Sequence, residues 1–271
     1  MKKFFSCFLA SLICVFGGAE YVFAGGGDSS EAIQIAVISE MNADATGLLD
    51  NISNMPSVEK LGTNSLQIGS NVINSRKIRY NKPAFLTTDR HEYEAPIGNH
   101  LVAFHEIKIP FTEINNPNSE FLFNSQKNNY WQQCDMVMVV FDATQTLEED
   151  QDPVKGWHDF AFSYIKFIKH NNRDSMLMFV PLNGDKMEEY DRSIMVNTLV
   201  KSENDYHRML VEAGKPTFTD QYISLSQGYR FESILDHAIR DCSIVKSKKK
   251  SGSFKRKNNS EEQFWFSCAI L

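Results

Sequence analysis

The 271-residue chain has few cysteines, and their positions argue against a disulfide-stapled fold. Only Cys134 and Cys242 lie in the body of the chain, each inside a predicted apolar element, while the other three lie near the two ends. Two buried thiols without a disulfide framework are typical of a protein that works in a reducing compartment.

Clusters of catalytic or metal-ligating side chains are also lacking. The seven histidines are scattered, and His91, His100 and His105 do not share ligand spacing on one predicted element. The chain shows no internal repeat, no Ser–His–acid arrangement and no redox cysteine pair. These absences argue against a zinc site and against nucleophilic catalysis.

Positive charge is scarce in the body of the chain. Between Gly25 and Val245 there are 19 basic and 31 acidic residues, a net charge of -12, whereas the whole chain has -6. An acidic body predicts that the protein has no nucleic-acid partner. Residues 246–257 carry seven basic residues and no acidic one, which favours contact between this tail and an anionic surface.

The composition divides the chain into four parts. Residues 1–24 combine two lysines, an apolar middle and a small residue at the end, which is the pattern of a cleaved signal peptide. An uncleaved hydrophobic anchor and a wrongly assigned start are the alternatives, because residues 4–24 are just long enough to cross a bilayer. Residues 25–30 are a glycine-rich linker, residues 31–245 are one α/β domain, and residues 246–271 are a polybasic tail with a lipidation motif.

Short apolar runs alternate with segments of helical period along the predicted domain. The predicted strands are 33–39, 101–109 with 110–114 as one or two strands, 135–141, 176–182 and 218–225. The predicted helices are 46–54, 154–170, 186–199, 203–213 and a final helix lined by apolar residues from 231 to 242. Residues 55–99 are interpreted as long loops with room for an extra strand or a short helix.

This alternation predicts a mostly parallel sheet with helices on both faces. In such a sheet, ligands bind beyond the carboxyl ends of the strands. The loops expected to form a site are 40–46, 142–146, 183–186 and 224–228.

Those loops, in that order, resemble the Ras-like small GTPases and the wider P-loop GTPase superfamily over residues 33–242. Residues 39–46, SEMNADAT, occupy the place of the family motif G-x-x-x-x-G-K-[ST]. Only Thr46 matches, while Ser39 and Asp44 replace the glycines and Ala45 replaces the lysine. Glycines let backbone N–H groups wrap a phosphate, and the lysine neutralises the outer phosphates.

The resemblance implies a Ras-like fold, with GTP or GDP and Mg²⁺ as the ligands to test. Thr46 matches the family's magnesium-binding hydroxyl, and Asn183 and Asp185 stand where the guanine-reading N-K-x-D motif lies, with Asp185 one residue early. Asn-Gly-Asp is also good turn chemistry without any ligand. Ser224 falls in the last family loop.

The family's switch motifs are not matched. No D-x-x-G occurs around Thr112 to Asn115, so no catalytic residue is assigned, and Thr87 or Thr88 is the remaining candidate for a first-switch threonine. A G-domain without its glycines and lysine is expected to be a pseudo-GTPase. The alternative is a divergent GTPase that still hydrolyses GTP.

The chain ends in Cys268-Ala269-Ile270-Leu271, which matches a C-a-a-X box, and the final leucine favours a geranylgeranyl group on Cys268. A single prenyl chain binds membranes only weakly, so a polybasic segment is the expected second signal. The candidate membrane-contacting residues are Lys246, Lys248, Lys249, Lys250, Lys255, Arg256 and Lys257.

The two ends predict different compartments, because prenyl transfer takes place in the cytosol and a signal peptide leads out of it. A bacterial protein that is delivered into a host cytosol and lipidated there would reconcile them, as would an uncleaved leader or an accidental box. The sequence therefore predicts a membrane-tethered pseudo-GTPase on the cytosolic face that binds a regulator or effector of GTPases. An exported α/β protein without lipid is a further alternative.

Overall fold

The computed structural model describes residues 32–68, 71–81, 99–116, 134–147, 151–171, 175–210 and 231–250. The strands are β1 Ile33–Ser39, β2 Val58–Ile68, β3 Asn71–Asn81, β4 Asn99–Lys108, β5 Met136–Asp142 and β6 Met176–Leu182. The helices are α1 Ala45–Ser53, α2 Phe111–Ile114, α3 Pro153–Asn171, α4 Glu189–Leu210 and α5 Phe231–Lys250. No helix among these residues is long and apolar enough to cross a membrane.

The six strands form one sheet in the order β2-β3-β4-β1-β5-β6. Strands β4, β1, β5 and β6 are parallel to their neighbours in this series, and β3 is antiparallel to both β2 and β4. Every residue of β5 and β6 is buried, as expected for parallel strands that are covered on both faces. The predicted α/β fold with a mostly parallel sheet and helices on both faces is confirmed.

Alternate residues of the central strands point to two different helical layers. On one face, Ile35 and Val37 of β1 join a buried apolar cluster with α1 and α5. On the other face, α3 packs its aromatic side chains against β5 and β6. There Phe160 lies 4.8 Å from Phe141 and 6.0 Å from Phe179 between ring centroids. Because β1, β5 and β6 pair in parallel, their carboxyl ends lie at one edge of the sheet.

A long β-hairpin replaces much of the region that the sequence predicts as loops. The prediction of loops for 55–99 is wrong over β2 and β3, which pair in an antiparallel ladder from Val58 and Tyr80 to Ile68 and Asn71. The hairpin buries few apolar side chains, and most of β2 is exposed. Its sequence therefore lacks the apolar alternation that would identify the strands.

Two other predicted elements differ from the structure. The predicted strand at 110–114 is wrong, because Phe111–Ile114 forms a short helix that follows Pro110. The predicted helices 186–199 and 203–213 are one helix, Glu189–Leu210, whose buried face continues through Glu203 and His207. Polar residues at these core positions interrupt the apolar pattern that would have shown a single helix. The predicted strand 218–225 lies outside the described residues.

The outer edge of β6 is closed by side chains of α4. The Leu177 N–H donates to His207 Nε2 at 3.2 Å, and the Phe179 N–H donates to Glu203 Oε1. Pro181 has no N–H to offer. The outward donors of Leu177 and Phe179 are thus satisfied without a further strand.

Candidate functional site

Three of the four loops expected to form a site meet at the carboxyl edge of the sheet. The Glu40 N–H donates to the Val140 carbonyl at 3.2 Å, which ties the β1–α1 loop to β5. Asn183 Nδ2 donates to Asp142 Oδ2 at 2.7 Å, which ties the loop after β6 to the end of β5. The convergence predicted for 40–46, 142–146 and 183–186 is confirmed, and 224–228 lies outside the described residues.

The N-terminus of α1 holds an internal carboxylate. Asp44 is the N-cap, and its Oδ1 accepts the Gly47 N–H at 2.8 Å. The carboxylate lies so close to Gly47 that a Cβ at that position would be 2.2 Å from Asp44 Oδ2. A side chain at position 47 would therefore force the Asp44 carboxylate out of its capping position. This capping places a negative charge where the family binds phosphate.

Ala45, which occupies the position of the family's lysine, is buried in the core of this chain. Ala45 has no exposed surface and belongs to the apolar cluster that includes Leu48 and Leu49. Ala43, two residues earlier, is buried in the same cluster. The start of α1 thus serves to pack the helix, and it supplies no cation.

Thr46 contacts an acidic residue on β4 that the sequence analysis missed. Its Oγ1 donates to Glu106 Oε1 at 2.6 Å. Glu106 is 2% exposed, and its Oε2 is buried without a hydrogen-bond partner among the described residues. The family's D-x-x-G motif is expected around 112–115, which lies beyond the end of β4. The signal for Glu106 in the sequence is a glutamate that, with His105, interrupts the apolar run LVAFHEI.

The pair formed by Thr46 and Glu106 has the donor chemistry that a hard divalent cation prefers, a hydroxyl and a carboxylate oxygen. The described residues contain no group of three or more acidic, histidine or cysteine side chains that could hold a metal ion. The pair therefore fits Mg²⁺ only as a partial ligand set, which water and phosphate oxygens would have to complete.

A second cluster of polar groups consists of Glu40, Thr146 and Asp142. Its Oε2 lies 3.3 Å from Thr146 Oγ1, which in turn donates to the Asp142 carbonyl at 2.7 Å. Burial is the main cause that raises the pKa of Glu40 to about 7, and the negative charge of Asp142 adds to it, while the Thr146 contact acts in the opposite direction. Glu40 therefore changes its charge near neutral pH.

The predicted guanine-reading residues form a turn. Asn183 has a left-handed backbone with a φ of 58° and bonds to Asp142, while Gly184–Lys186 form one turn of 3-10 helix. Asp142 also accepts the N–H and hydroxyl of Thr144. Asn183 is thus engaged within the loops, and Asp185 lies half-buried in the turn. This is the arrangement expected if the turn needs no ligand.

The structure divides the predicted site residues into separate groups. Thr46 contacts β4, and Asn183 contacts β5. Lys246, Lys248, Lys249 and Lys250 lie in the last turns of α5, so the helix continues into the predicted tail. Ser224, Cys268, Lys255, Arg256 and Lys257 lie outside the described residues, as do Thr87 and Thr88.

Comparisons with known proteins give structural likenesses only. No protein-family model matches the chain, and no curated protein matches it. A GTP-binding protein from the archaeon Sulfolobus solfataricus in complex with GDP is 10% identical, with 79% of this chain and 53% of that chain covered and a TM-score of 0.41. This chain thus spans about half of that protein.

Two further solved structures are similar. The G domain of the T. maritima FeoB iron transporter is 8% identical over 78% of this chain and 98% of that chain, with a TM-score of 0.39. An ADP-ribosylation-factor-like GTP-binding protein, the small COPII coat GTPase SAR1 from Encephalitozoon cuniculi in complex with GDP, is 10% identical over 93% and 97%, with a TM-score of 0.41. At TM-scores below 0.5 these likenesses carry no argument about this chain.

Proposed function

We propose that this chain is a Ras-like pseudo-GTPase that acts through protein–protein contacts and is held at a membrane by its C-terminal tail. The observation that carries the proposal is the Asp44 carboxylate at the N-terminus of α1, where it accepts the Gly47 N–H. The N–H that a phosphate oxygen would use is bonded to the protein's own anion.

The sizes of two electrostatic effects favour exclusion of phosphate from the N-terminus of α1. A helix N-terminus stabilises an anion by about 1 kcal/mol. Two like charges about 4 Å apart near a protein surface repel each other by roughly 4 kcal/mol. Asp44 is exposed, so water weakens this repulsion, but the carboxylate still offsets the attraction of the helix, and the buried Ala45 supplies no compensating cation.

A divergent nucleotide-binding GTPase is the second candidate. It is favoured by the Thr46–Glu106 pair, in which Glu106 Oε2 is buried and has no partner among the described residues. A bound Mg²⁺ would neutralise Glu106 and part of the phosphate charge. On this alternative, nucleotide binding requires magnesium, whereas the pseudo-GTPase binds nucleotide in neither condition.

The proposed partner is a protein that regulates GTPases or acts as their effector. A GTPase-like surface could bind such a protein without nucleotide. We propose that these contacts take place at the cytosolic face of a membrane. A bacterial effector that its host lipidates is the form of the proposal that accommodates both the leader and the C-a-a-X box.

Membrane tethering is expected to depend on Cys268. In eukaryotic cells, a chain tagged at the N-terminus of residues 25–271 should sediment with membranes, and Cys268→Ser should release most of it to the soluble fraction, because one prenyl chain supplies an essential part of the affinity. Ser267→Ala, which leaves the box intact, is the matched control. An unchanged membrane fraction for Cys268→Ser would exclude the lipid anchor.

A further inference from the structure

We propose that the carboxyl edge of the sheet binds an arginine side chain of a partner protein, at the place where the family binds phosphate. The guanidinium group would contact Asp44 and Glu106 at the start of α1, so the partner segment is basic. This inference rests on the proposed function, because it names the chemistry of the protein that a pseudo-GTPase would bind. Two independent observations support it, an excess of negative charge along this edge and a buried carboxyl oxygen that has no hydrogen-bond donor.

The loops that meet at this edge carry more negative than positive charge. The three described loops contain four acidic residues and one basic residue, which are Glu40, Asp44, Asp142, Asp185 and Lys186. Burial raises the pKa of Glu40 to about 7, so this residue adds its charge only above that pH. A surface with this balance of charge attracts cationic groups and repels phosphate.

The lysines of this edge do not neutralise its carboxylates. Lys186 lies in the loop after β6, and Lys108 ends β4 beside Ser39 in the strand register. Both lysines are exposed, and neither forms an ion pair with a described residue. The edge is therefore open to a cation from a partner.

A carboxyl oxygen next to α1 lacks a hydrogen-bond donor. Glu106 is 2% exposed, and its Oε1 accepts the Thr46 hydroxyl at 2.6 Å. That hydroxyl has a single proton, so it cannot also serve Oε2. Oε2 is buried and has no partner among the described residues. Leaving such an oxygen without a donor is unfavourable, so this position favours a ligand that supplies N–H groups.

The two carboxyl groups bond to consecutive residues in the first turn of α1. Thr46 donates to Glu106, and the Gly47 N–H donates to Asp44 Oδ1. Asp44 is exposed, and its Oδ2 has no partner among the described residues. A ligand that contacts both groups must therefore enter from solvent past Asp44 and reach the buried oxygen of Glu106 with a long side chain.

A guanidinium group fits this pair better than a metal ion does. Its N–H groups form a planar fork that can donate to two carboxyl oxygens, and its flexible stem can carry the charge below the surface. The described part of the chain has no group of three or more acidic, histidine or cysteine side chains that could hold a metal ion. An arginine would supply both the donor that Glu106 Oε2 lacks and the positive charge that the loops lack.

A peptide titration followed by the amide NMR signals of the full chain tests the inference. The probe is acetylated and amidated Gly-Arg-Gly-Arg-Gly in about 0.15 M salt, which screens weak surface attraction. The Ala43 and Gly47 N–H groups bond to Glu40 and Asp44, so their signals should shift until the site is saturated, with a Kd of about 1 mM or tighter. The same peptide with citrulline, which has nearly the shape of arginine but no charge, should leave both signals unshifted.

Two variants test the proposed contacts while they preserve α1. Asp44→Asn keeps a side chain that can cap the helix, and Glu106→Gln keeps an acceptor for Thr46. Each variant should weaken peptide binding about fivefold or more, because a hydrogen bond to a charged acceptor becomes a neutral one. Asp159→Asn, which removes an exposed negative charge from α3, is the matched control and should change the Kd by less than about twofold.

The outcomes separate this inference from the pseudo-GTPase proposal. Magnesium-dependent nucleotide binding would overturn the pseudo-GTPase proposal, whereas a chain that binds neither nucleotide nor the arginine peptide would overturn the inference alone. Equal shifts with the citrulline peptide, or equal weakening in Asp159→Asn, would also overturn the inference. So would shifts of Ala43 and Gly47 that appear with millimolar magnesium chloride and not with the peptide, because the site would then take a metal ion.

Discussion

Lowering the pH from 7 to 4.5 is expected to remove about 2–3 kcal/mol of folding stability for each of two buried histidines. Burial lowers the pKa of His105 and of His207 from 6.5 to about 4. The unfolded chain therefore binds a proton on each ring below pH 6.5, and the folded chain does not. The contribution of the two neutral rings to folding stability is fully present above pH 6.5. It falls as the pH drops towards 4 and levels off below that value.

Burial is the main reason that the two rings resist protonation, and each ring has hydrogen-bond partners in its neutral form. His207 Nε2 accepts the Leu177 N–H at the edge of β6. His105 lies 2.8 Å from both Ser75 Oγ and Gln34 Oε1, and it joins β3, β4 and β1. Because Gln34 Oε1 is an acceptor, the neutral ring donates from Nε2 and accepts from Ser75. Protonation would remove the acceptor nitrogen in each ring, which is Nε2 in His207 and Nδ1 in His105.

Urea unfolding at pH 7 and pH 4.5 measures this effect. Glu203 acts in the opposite direction, since burial raises its pKa and protonation then favours the folded state as the pH falls. The histidine effect is therefore read from His105→Gln and His207→Gln, each of which should reduce the pH-dependent loss by about 2–3 kcal/mol relative to the wild type. A pH dependence that is the same in the wild type and in the double variant would contradict the assignment.

Replacing Phe160 with alanine is expected to lower the free energy of unfolding by about 3–5 kcal/mol. Phe160 is 3% exposed, and its ring centroid lies 4.8 Å from Phe141, 5.1 Å from Tyr164 and 5.5 Å from Phe111. Alanine would leave a cavity between α3 and the sheet that neighbouring rings cannot fill.

Phe162 on the same helix is the matched control. It is 45% exposed and stacks on His158 with 6.3 Å between ring centroids. Phe162→Ala should change the stability by less than about 1 kcal/mol, because surface substitutions away from special features have small effects. Equal losses in the two variants would mean that α3 does not pack on the sheet through Phe160.

The central sheet was predictable because strands that are buried on both faces consist of continuous apolar runs. Strands β1 and β6 match the predicted 33–39 and 176–182, and β5 lies one residue beyond the predicted 135–141. Helix α3 shows its apolar spacing over its whole length. Where polar residues occupy buried positions, as Glu203 and His207 do in α4, the same reasoning divided one helix into two.

The hairpin and the site depend on contacts that local patterns do not contain. Most of β2 is exposed, so its pairing with β3 stabilises it without an apolar pattern. The contact between Thr46 and Glu106 joins residues 60 positions apart. The sequence showed that Asp44 would bring negative charge to α1, but the hydrogen bond to Gly47 follows from the backbone geometry of the loop.

The most direct test of the pseudo-GTPase account is an equilibrium titration of purified residues 25–271 with fluorescent GDP and GTP, with and without magnesium. Thr46→Val, which removes the hydroxyl that contacts Glu106, is the control for any magnesium effect. The account predicts no binding up to millimolar nucleotide in either condition. Magnesium-dependent binding tighter than about 10 μM, on the order of -7 kcal/mol, that is lost in Thr46→Val would contradict it and favour a functioning GTPase.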